Sequence, residues 1–473
     1  MQVFTKTQIN QATAVQQSSL VNDGFRVFVY DSNTTVKPFN VVSSSNTGVT
    51  LPIGFCAHLG MSAATYTAAQ VLSSIQSLNG KLWRDEAKWS YVEASRGSLA
   101  YPGSNSYLSR VKDALDTAST YGITPQLILN YGNVAYGSNI PTGYQGGLVL
   151  DADEKTGYSN YCTYIVSQIG NKCNLWEIWN EWNLGLGGTT QELADSAGLN
   201  VTAYVDVMQL AYTAAKAANP QCKVIGGVVA EPYDPTARSE TWFNTFLTTN
   251  WHQYCDEFSY HHYHNFCIPE RWHDQLQDTI VKVRAVAPNK PVRITETGWY
   301  NGTGVRAITE AEAAARYSRY PFLLRCLDLV GVTFYDLAND GTDPAQVEHN
   351  FGFYTENVGA QKAQAATITA ALSHINVATS GTHYSDQTQR RRVVVMDTNT
   401  ANGQRAACWA IDATGTTTLT VTATGSGTLS IQTLGGSTAT QAISSGSNTV
   451  VVTLSDTAKV VYANVPITIA PTL

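Results

Sequence analysis

The stretch Leu175-Trp176-Glu177-Ile178-Trp179-Asn180-Glu181-Trp182-Asn183 begins as an apolar run and ends abruptly in polar residues. Its first five residues read as a short buried strand. Runs of the same kind recur at 51–58, 81–83, 124–130, 223–229, 257–261, 292–296 and 330–335. Helix-like segments lie between them. Within 106–120, Leu108, Val111, Leu115 and Ala118 fall at helical spacing, and 311–327 and 360–375 read alike. Strands alternating with helices through the middle of the chain predict a (β/α)8 TIM barrel. A doubly wound open sheet is the alternative, but no G-x-G-x-x-G follows the first strand.

The flanks differ from this middle. Residues 1–45 are polar and rich in Gln, Ser, Thr and Asn, with one strand-like stretch, Phe25-Arg26-Val27-Phe28-Val29-Tyr30. No charged residue occurs between Asp412 and Asp456, where runs such as Thr418-Leu419-Thr420-Val421-Thr422 and Thr449-Val450-Val451-Val452-Thr453 alternate between glycine-rich turns. That pattern predicts a β-sandwich. The expected organisation is an extension, partly β, over 1–45 that packs on the terminal sandwich, a barrel over 46–379 and a sandwich over 380–473.

Composition narrows the function. Charged residues make up 14% of the 473, aromatics 10%, and the net charge is −7. Such a chain is too aromatic for a disordered one and carries no basic footprint for nucleic acid. It also lacks the roughly 18–20 residue apolar run that spans a bilayer. The N-terminus, Met1-Gln2-Val3-Phe4-Thr5-Lys6, has no apolar core of a signal peptide. Eight cysteines show no C-x-x-C pair; in a chain this long most are expected to be buried free thiols, and Cys162–Cys173 or Cys255–Cys267 is the favoured pair should a disulfide form.

In a barrel, chemistry gathers at the C-terminal ends of the strands. The polar residues there are His58, Arg84, Asp85, Asn130, Asn180, Glu181, Glu231, His261, Tyr263, Glu296, Tyr335 and Asp336. The fourth run ends in Asn180-Glu181-Trp182, the seventh in Glu296-Thr297-Gly298-Trp299. Hydrolysis of a glycosidic bond needs such a pair. One carboxylic acid protonates the leaving oxygen, and one carboxylate attacks or stabilises the anomeric carbon.

Trp179-Asn180-Glu181 and Glu296-Thr297-Gly298-Trp299 resemble the acid/base and nucleophile signatures of the clan A retaining glycoside hydrolases, whose two glutamates close strands 4 and 7. Ser259-Tyr260-His261-His262-Tyr263 resembles the clan's strand 6 segment, and Arg84 its strand 2 arginine. Phe334-Tyr335-Asp336-Leu337, Asp340-Gly341-Thr342-Asp343 and Glu348-His349-Asn350-Phe351-Gly352 resemble the strand 8 loop of family 39-like members, which also carry a sandwich after the barrel. Families 5 and 30 are neighbours.

The resemblance implies Glu181 as acid/base and Glu296 as nucleophile, with Asn180 on the sugar 2-hydroxyl and Arg84 and Tyr263 steadying Glu296. His261 is expected to orient one carboxylate, Trp299 and Trp182 to flank the pair with Trp299 walling a subsite, and His58 and Tyr335 to contact substrate. The expected partner is a polysaccharide or oligosaccharide cleaved at β-linkages, with endo-action favoured by the aromatic strand ends. No cofactor or metal is required. Few charges, many Ser, Thr and Gly and such a substrate point to an extracellular or virion-associated protein.

Two rival readings remain. One is a catalytically inactive carbohydrate-binding or adhesion protein. The other is a metal-dependent hydrolase built on His262 and His264, which share one face of a strand. Arg390-Arg391-Arg392 is expected to be a solvated strand edge opening the terminal domain.

Overall fold

The computed structural model describes residues 40–59, 65–136, 147–186, 200–230, 238–263, 267–304, 307–386 and 390–471. Glu231, His264 and the stretch 25–30 lie outside them.

Strand β1 (Asn40–Asn46) belongs to a terminal sheet. The next eight strands are parallel and close a barrel: β2 (Ile53–Cys56), β3 (Leu82–Glu86), β4 (Thr124–Leu129), β5 (Leu175–Ile178), β6 (Lys223–Ala230), β7 (Glu257–His262), β8 (Val292–Thr297) and β9 (Leu329–Phe334). They are apolar because helices cover them outside and other strands face them inside. Gly54 marks how tightly β2 meets β3: a side chain there would lie 2.0 Å from the Leu82 carbonyl oxygen.

The surrounding helices begin where the sequence supplies caps. Thr67/Gln70, Asp151/Glu154 and Thr309/Glu312 form reciprocal capping boxes at Ala68–Ser77, Ala152–Ile169 and Glu310–Arg325. Each N-cap contributes about 1 kcal/mol. Among the described residues no helix is long and apolar enough to cross a membrane.

The C-terminal strands are β10 (Ser380–Asp386), β11 (Arg391–Met396), β12 (Arg405–Ala410), β13 (Gly415–Ala423), β14 (Gly427–Thr433), β15 (Thr438–Ile443), β16 (Gly446–Leu454), β17 (Lys459–Ala463) and β18 (Ile467–Pro471). They form a β-sandwich. One sheet runs β1-β10-β11-β12-β17-β14-β15 and the other β16-β13-β18. Leu419, Val421, Val450 and Val452 point inward between the sheets while the alternating threonines face outward. Strand β1 pairs antiparallel with β10 from Asn40↔Ser385 to Asn46↔Ser380, so this stretch completes the sandwich edge. Val394, Met396, Ala407 and Trp409, on the opposite face of the large sheet, share one core with the barrel helices.

All eight cysteines are free, and seven are buried, so neither candidate disulfide forms. Cys162 and Cys173 both lie in the barrel core, with Cys173 Sγ turned to the Leu175 carbonyl at 3.2 Å. Cys255 likewise faces the Trp251 carbonyl and is not joined to Cys267. Each buried thiol behaves as a small apolar group. One expectation is corrected: Arg392 is not a solvated strand edge but is buried on β11, where Glu270, Asp274 and Asp386 favour its charge against the cost of burial.

Candidate active site

Strand β5 ends at Ile178, and the chain then turns through two non-glycine residues with left-handed backbone, Trp179 (φ 65°) and Glu181 (φ 51°). Each such residue costs about 1–3 kcal/mol. Aromatic packing over-determines the turn. Trp179 meets Tyr131 edge-on at 5.6 Å and Trp182 at 5.0 Å, and its Nε1 donates to the Leu186 carbonyl at 2.9 Å. Glu181 is thereby held at the barrel mouth, 9% exposed.

Glu296 reaches the same place from β8. The residue after Thr297 must be small, since a side chain at Gly298 would lie 2.2 Å from the Tyr335 carbonyl oxygen. A register shift between Tyr260 and His261 sets His261 opposite Glu296 across β7 and β8. An oxygen of Glu181, a ring nitrogen of His261 and an oxygen of Glu296 lie within 4.8 Å of one another.

Arg84, buried on β3, is the hub. Its Nε and Nη2 donate to the two oxygens of Glu177 at 2.8 and 3.0 Å, its Nη1 to Glu296 Oε1 at 2.5 Å, and its Nη2 also to Asn180 Oδ1 at 2.9 Å. Tyr263 Oη donates to Glu296 Oε2 at 2.7 Å. His261 Nδ1 lies 2.7 Å from Glu181 Oε1 and 3.4 Å from Glu296 Oε2, while Nε2 faces Thr295 Oγ1 at 3.0 Å. Asn180 Nδ2 donates to Tyr131 Oη at 3.3 Å.

The charges follow from these contacts. Burial alone would raise the Glu296 carboxyl, but His261, Arg84 and the Tyr263 hydrogen bond outweigh it and hold it below the usual carboxylate range. Glu177 is treated likewise by Arg84 and His261 and falls to about 2. Burial opposes a charge on His261, yet Glu296, Glu177 and Glu181 together push it up to about 9. Two carboxylates, a guanidinium and an imidazolium therefore balance beneath the mouth.

An adjoining cluster joins the ends of β2 and β9. His58 Nδ1 lies 2.8 Å from Asp340 Oδ1, and Tyr335 Oη lies 3.2 Å from Asp340 Oδ2 and 3.1 Å from Glu348 Oε2. Burial works against a charged His58, but Asp340, Asp336 and Glu86 push it up to about 10.

Asn180, Glu181, Arg84, His261, Tyr263 and Glu296 thus form one cluster, with His58 and Tyr335 beside it. Trp299 and Trp182 do not reach the opening. Trp299 is fully buried, stacked on Trp272 at 3.8 Å and 8°, with Nε1 donating to the Cys267 carbonyl. Its ring lies on the helix side of β8 and offers no wall to a ligand. Trp182 packs between Trp179 and Tyr204. His262 also faces outward, with Nε2 3.0 Å from Gln275 Oε1, which removes it from any metal site at the mouth. Asp85 accepts from Leu59 N and Trp83 Nε1 and braces the β2 and β3 ends.

Sequence reasoning passed over Glu177 and Gln126, whose Nε2 donates to Glu177 Oε2 at 2.6 Å. The signal was present. A carboxylate amid Leu175-Trp176-Glu177-Ile178-Trp179 is a charge in a buried strand, and such a charge demands a partner.

No protein-family model and no curated protein matches this chain. Among solved structures it is similar to a family 39 glycoside hydrolase from the gut symbiont Bacteroides cellulosilyticus, at 19% identity and TM-score 0.65 over 88% of this chain and 82% of that one. It is also similar to a monomeric β-xylosidase from Caulobacter crescentus, at 14% identity and TM-score 0.59 over 90% of this chain and 98% of that one. A third similar structure is a family 30 endoxylanase from Clostridium papyrosolvens, at 13% identity and TM-score 0.58 over 90% of this chain and all of that one, 100%. At these identities the likeness establishes a shared barrel-and-sandwich fold.

Proposed function

We propose that this chain is a retaining glycoside hydrolase that cleaves β-glycosidic bonds of a polysaccharide or oligosaccharide by double displacement. The observation that carries the reading is the unequal treatment of two close carboxylates. Glu296 is gripped by the charged Arg84 and by Tyr263, whereas Glu181 is met by His261 and by neither of those two donors. An anion so held is suited to attack the anomeric carbon. One oxygen of each carboxylate lies within 4.8 Å of the other, a close approach that supports the roughly 5–5.5 Å carboxyl spacing of retaining enzymes.

In the first step Glu181 gives its proton to the leaving oxygen as Glu296 bonds to the anomeric carbon and the glycosidic C–O bond breaks. In the second, Glu181 takes a proton from water, which attacks the same carbon and releases Glu296. Asn180, fixed by Arg84 and Tyr131, would hold the sugar 2-hydroxyl. His261 steers Glu181 and adds positive charge beside Glu296. His58 and Tyr335 would close one side of the sugar site. The similar structures include glycosidases acting on xylose-based substrates, which supports the substrate class and leaves the sugar open to assay. Endo-action, expected from aromatic strand ends, now rests on Tyr263 and Tyr335, because Tyr131, Trp179, Trp182 and Trp299 are buried.

The test is product analysis on a panel of defined polysaccharides, with the anomeric configuration followed by NMR for wild type and Glu296→Gln. A first product of retained β-configuration, absent from the variant, is expected. Hydrolysis by neither protein would leave the inactive binding protein as the answer, and equal turnover by both would overturn Glu296 as the nucleophile.

A further inference from the structure

We infer that His58, Asp336 and Asp340, at the ends of β2 and β9, form a binding site for a divalent first-row metal ion. The inference is independent of the hydrolase reading. Hydrolysis by two carboxylates uses no metal, and the ion would serve to clamp the seam where the first and last barrel strands meet.

The argument starts from Asp336. It is 2% exposed, and its Oδ1 has no hydrogen-bond partner among the described residues. Buried carboxylates are normally paired or bound to metal. One donor atom from each of His58, Asp336 and Asp340 lies within 4.8 Å of the others. Ligands about 2.0–2.2 Å from a shared ion stand at most about 4.4 Å apart, so a small contraction completes the site. His58 Nδ1 and Asp340 Oδ1 are already 2.8 Å apart, a spacing that fits neighbouring ligands.

The nearby cations do not answer the need. Lys362 Nζ donates to Asn339 Oδ1 at 3.1 Å and to the Asn350 carbonyl at 3.2 Å, with no hydrogen bond to Asp336. His58 is directed at Asp340. Two carboxylates, one buried and one half-buried, thus share a corner with one imidazole.

The corner is held ready. The His58 amide donates to Tyr66 Oη at 3.0 Å, and the Leu337 amide to the Cys56 carbonyl at 2.9 Å, fixing both ligand-bearing segments to each other. One imidazole with two carboxylates suits Mn2+ or Zn2+, whereas Ca2+ takes six to eight oxygens. Bound there, the ion would join the β2 end to the β9 loop.

Full-length protein stripped with a chelator and dialysed free of it should be titrated with MnCl2 by electron paramagnetic resonance, with ZnCl2 as competitor. Wild type and Glu296→Gln are expected to bind one ion with the same affinity and to gain melting temperature with it. Asp336→Asn and His58→Ala should each weaken binding about tenfold or more and lose the thermal gain. No saturable binding of either metal up to millimolar concentration would overturn the inference. So would binding undiminished in both ligand variants, or binding lost in Glu296→Gln alone, which would put the ion on Glu181, His261 and Glu296.

Discussion

At the barrel mouth, Arg84, Glu177, His261 and Glu296 form a buried ionic network. At the seam between barrel and sandwich lies a second. Trp409 Nε1 donates to Glu270 Oε1 at 2.7 Å, Arg319 Nε lies 3.3 Å from the same oxygen, and Arg319 also pairs with Asp456. Also at the seam, His374 Nε2 lies 2.9 Å from Gln432 Oε1, and its Nδ1 accepts from Arg405 at 2.6 Å. Both networks have buried centres, though Asp456 of the seam is half-exposed, and both bring together residues far apart in the chain. They differ in closure. The seam network joins a barrel helix to sandwich strands and has no carboxylate at an opening. The mouth network is asymmetric, with Glu296 held by Arg84, Tyr263 and His261 and Glu181 met by His261. Buried charge alone does not mark a site; an unequal pair at an opening does.

The largest expected effect separates the two regions by activity. Glu296→Gln should lower kcat by about 10^4-fold or more while thermal unfolding shows a fold as stable as wild type. A variant that keeps a tenth of its activity would remove the distinction. Next comes a seam variant with the opposite signature. Arg319→Met leaves Glu270 without its ion-pair partner and should destabilise the chain by about 3–5 kcal/mol, with kcat/KM changed less than twofold in the folded protein. Chemical denaturation and steady-state kinetics check both halves.

Tyr263→Phe probes how far the grip on Glu296 matters. Loss of a hydrogen bond to a charged group costs about 1.5–3 kcal/mol, so kcat/KM should fall about 10- to 100-fold. With one anion-favouring donor gone, the Glu296 pKa rises, and the acidic limb of the kcat/KM profile moves to higher pH. An unmoved limb would mean that Glu296 does not set it.

The smallest effect is in stability against pH, where the two regions respond in opposite directions. His261 is raised from 6.5 to about 9, so the stability it contributes is complete below pH 6.5 and is lost as pH rises through 9. His374 is lowered to about 4 by burial and the Arg405 guanidinium. Its contribution is complete above pH 6.5 and is lost as pH falls towards 4. In His374→Gln the acid-side loss should shrink while the alkaline-side loss persists, as read by melting temperature from pH 4 to 9.5. An identical profile in the variant would show that the seam histidine does not contribute.

Much of the fold was legible because each buried strand announces itself locally. All eight runs lie on barrel strands, and the alternation in 418–422 matches the in-and-out pattern of β13. The second run, read as 81–83, extends to Glu86, because Arg84, Asp85 and Glu86 stay in the strand and find their partners from other strands. The six polar residues of the mouth cluster were legible as strand-end residues. The roles of the tryptophans were not. Whether a ring after a strand end faces the opening or the helices depends on the turn: the left-handed backbone at Trp179 and Glu181 sets one, and the stacking of Trp299 on Trp272 sets the other. Arg392 failed for a related reason, since its carboxylate neighbours come from a barrel helix and from β10's end.

The sequence by itself determined the order of elements, the barrel with its sandwich and the two glutamates at strand ends, because periodicity and run length act over neighbouring residues. Tertiary structure alone decided that Glu177 balances Arg84, that His261 touches both carboxylates, and that Trp299 is packing rather than a sugar wall. Those outcomes depend on groups brought within a few ångströms by barrel closure, where burial makes each charge depend on its nearest partner.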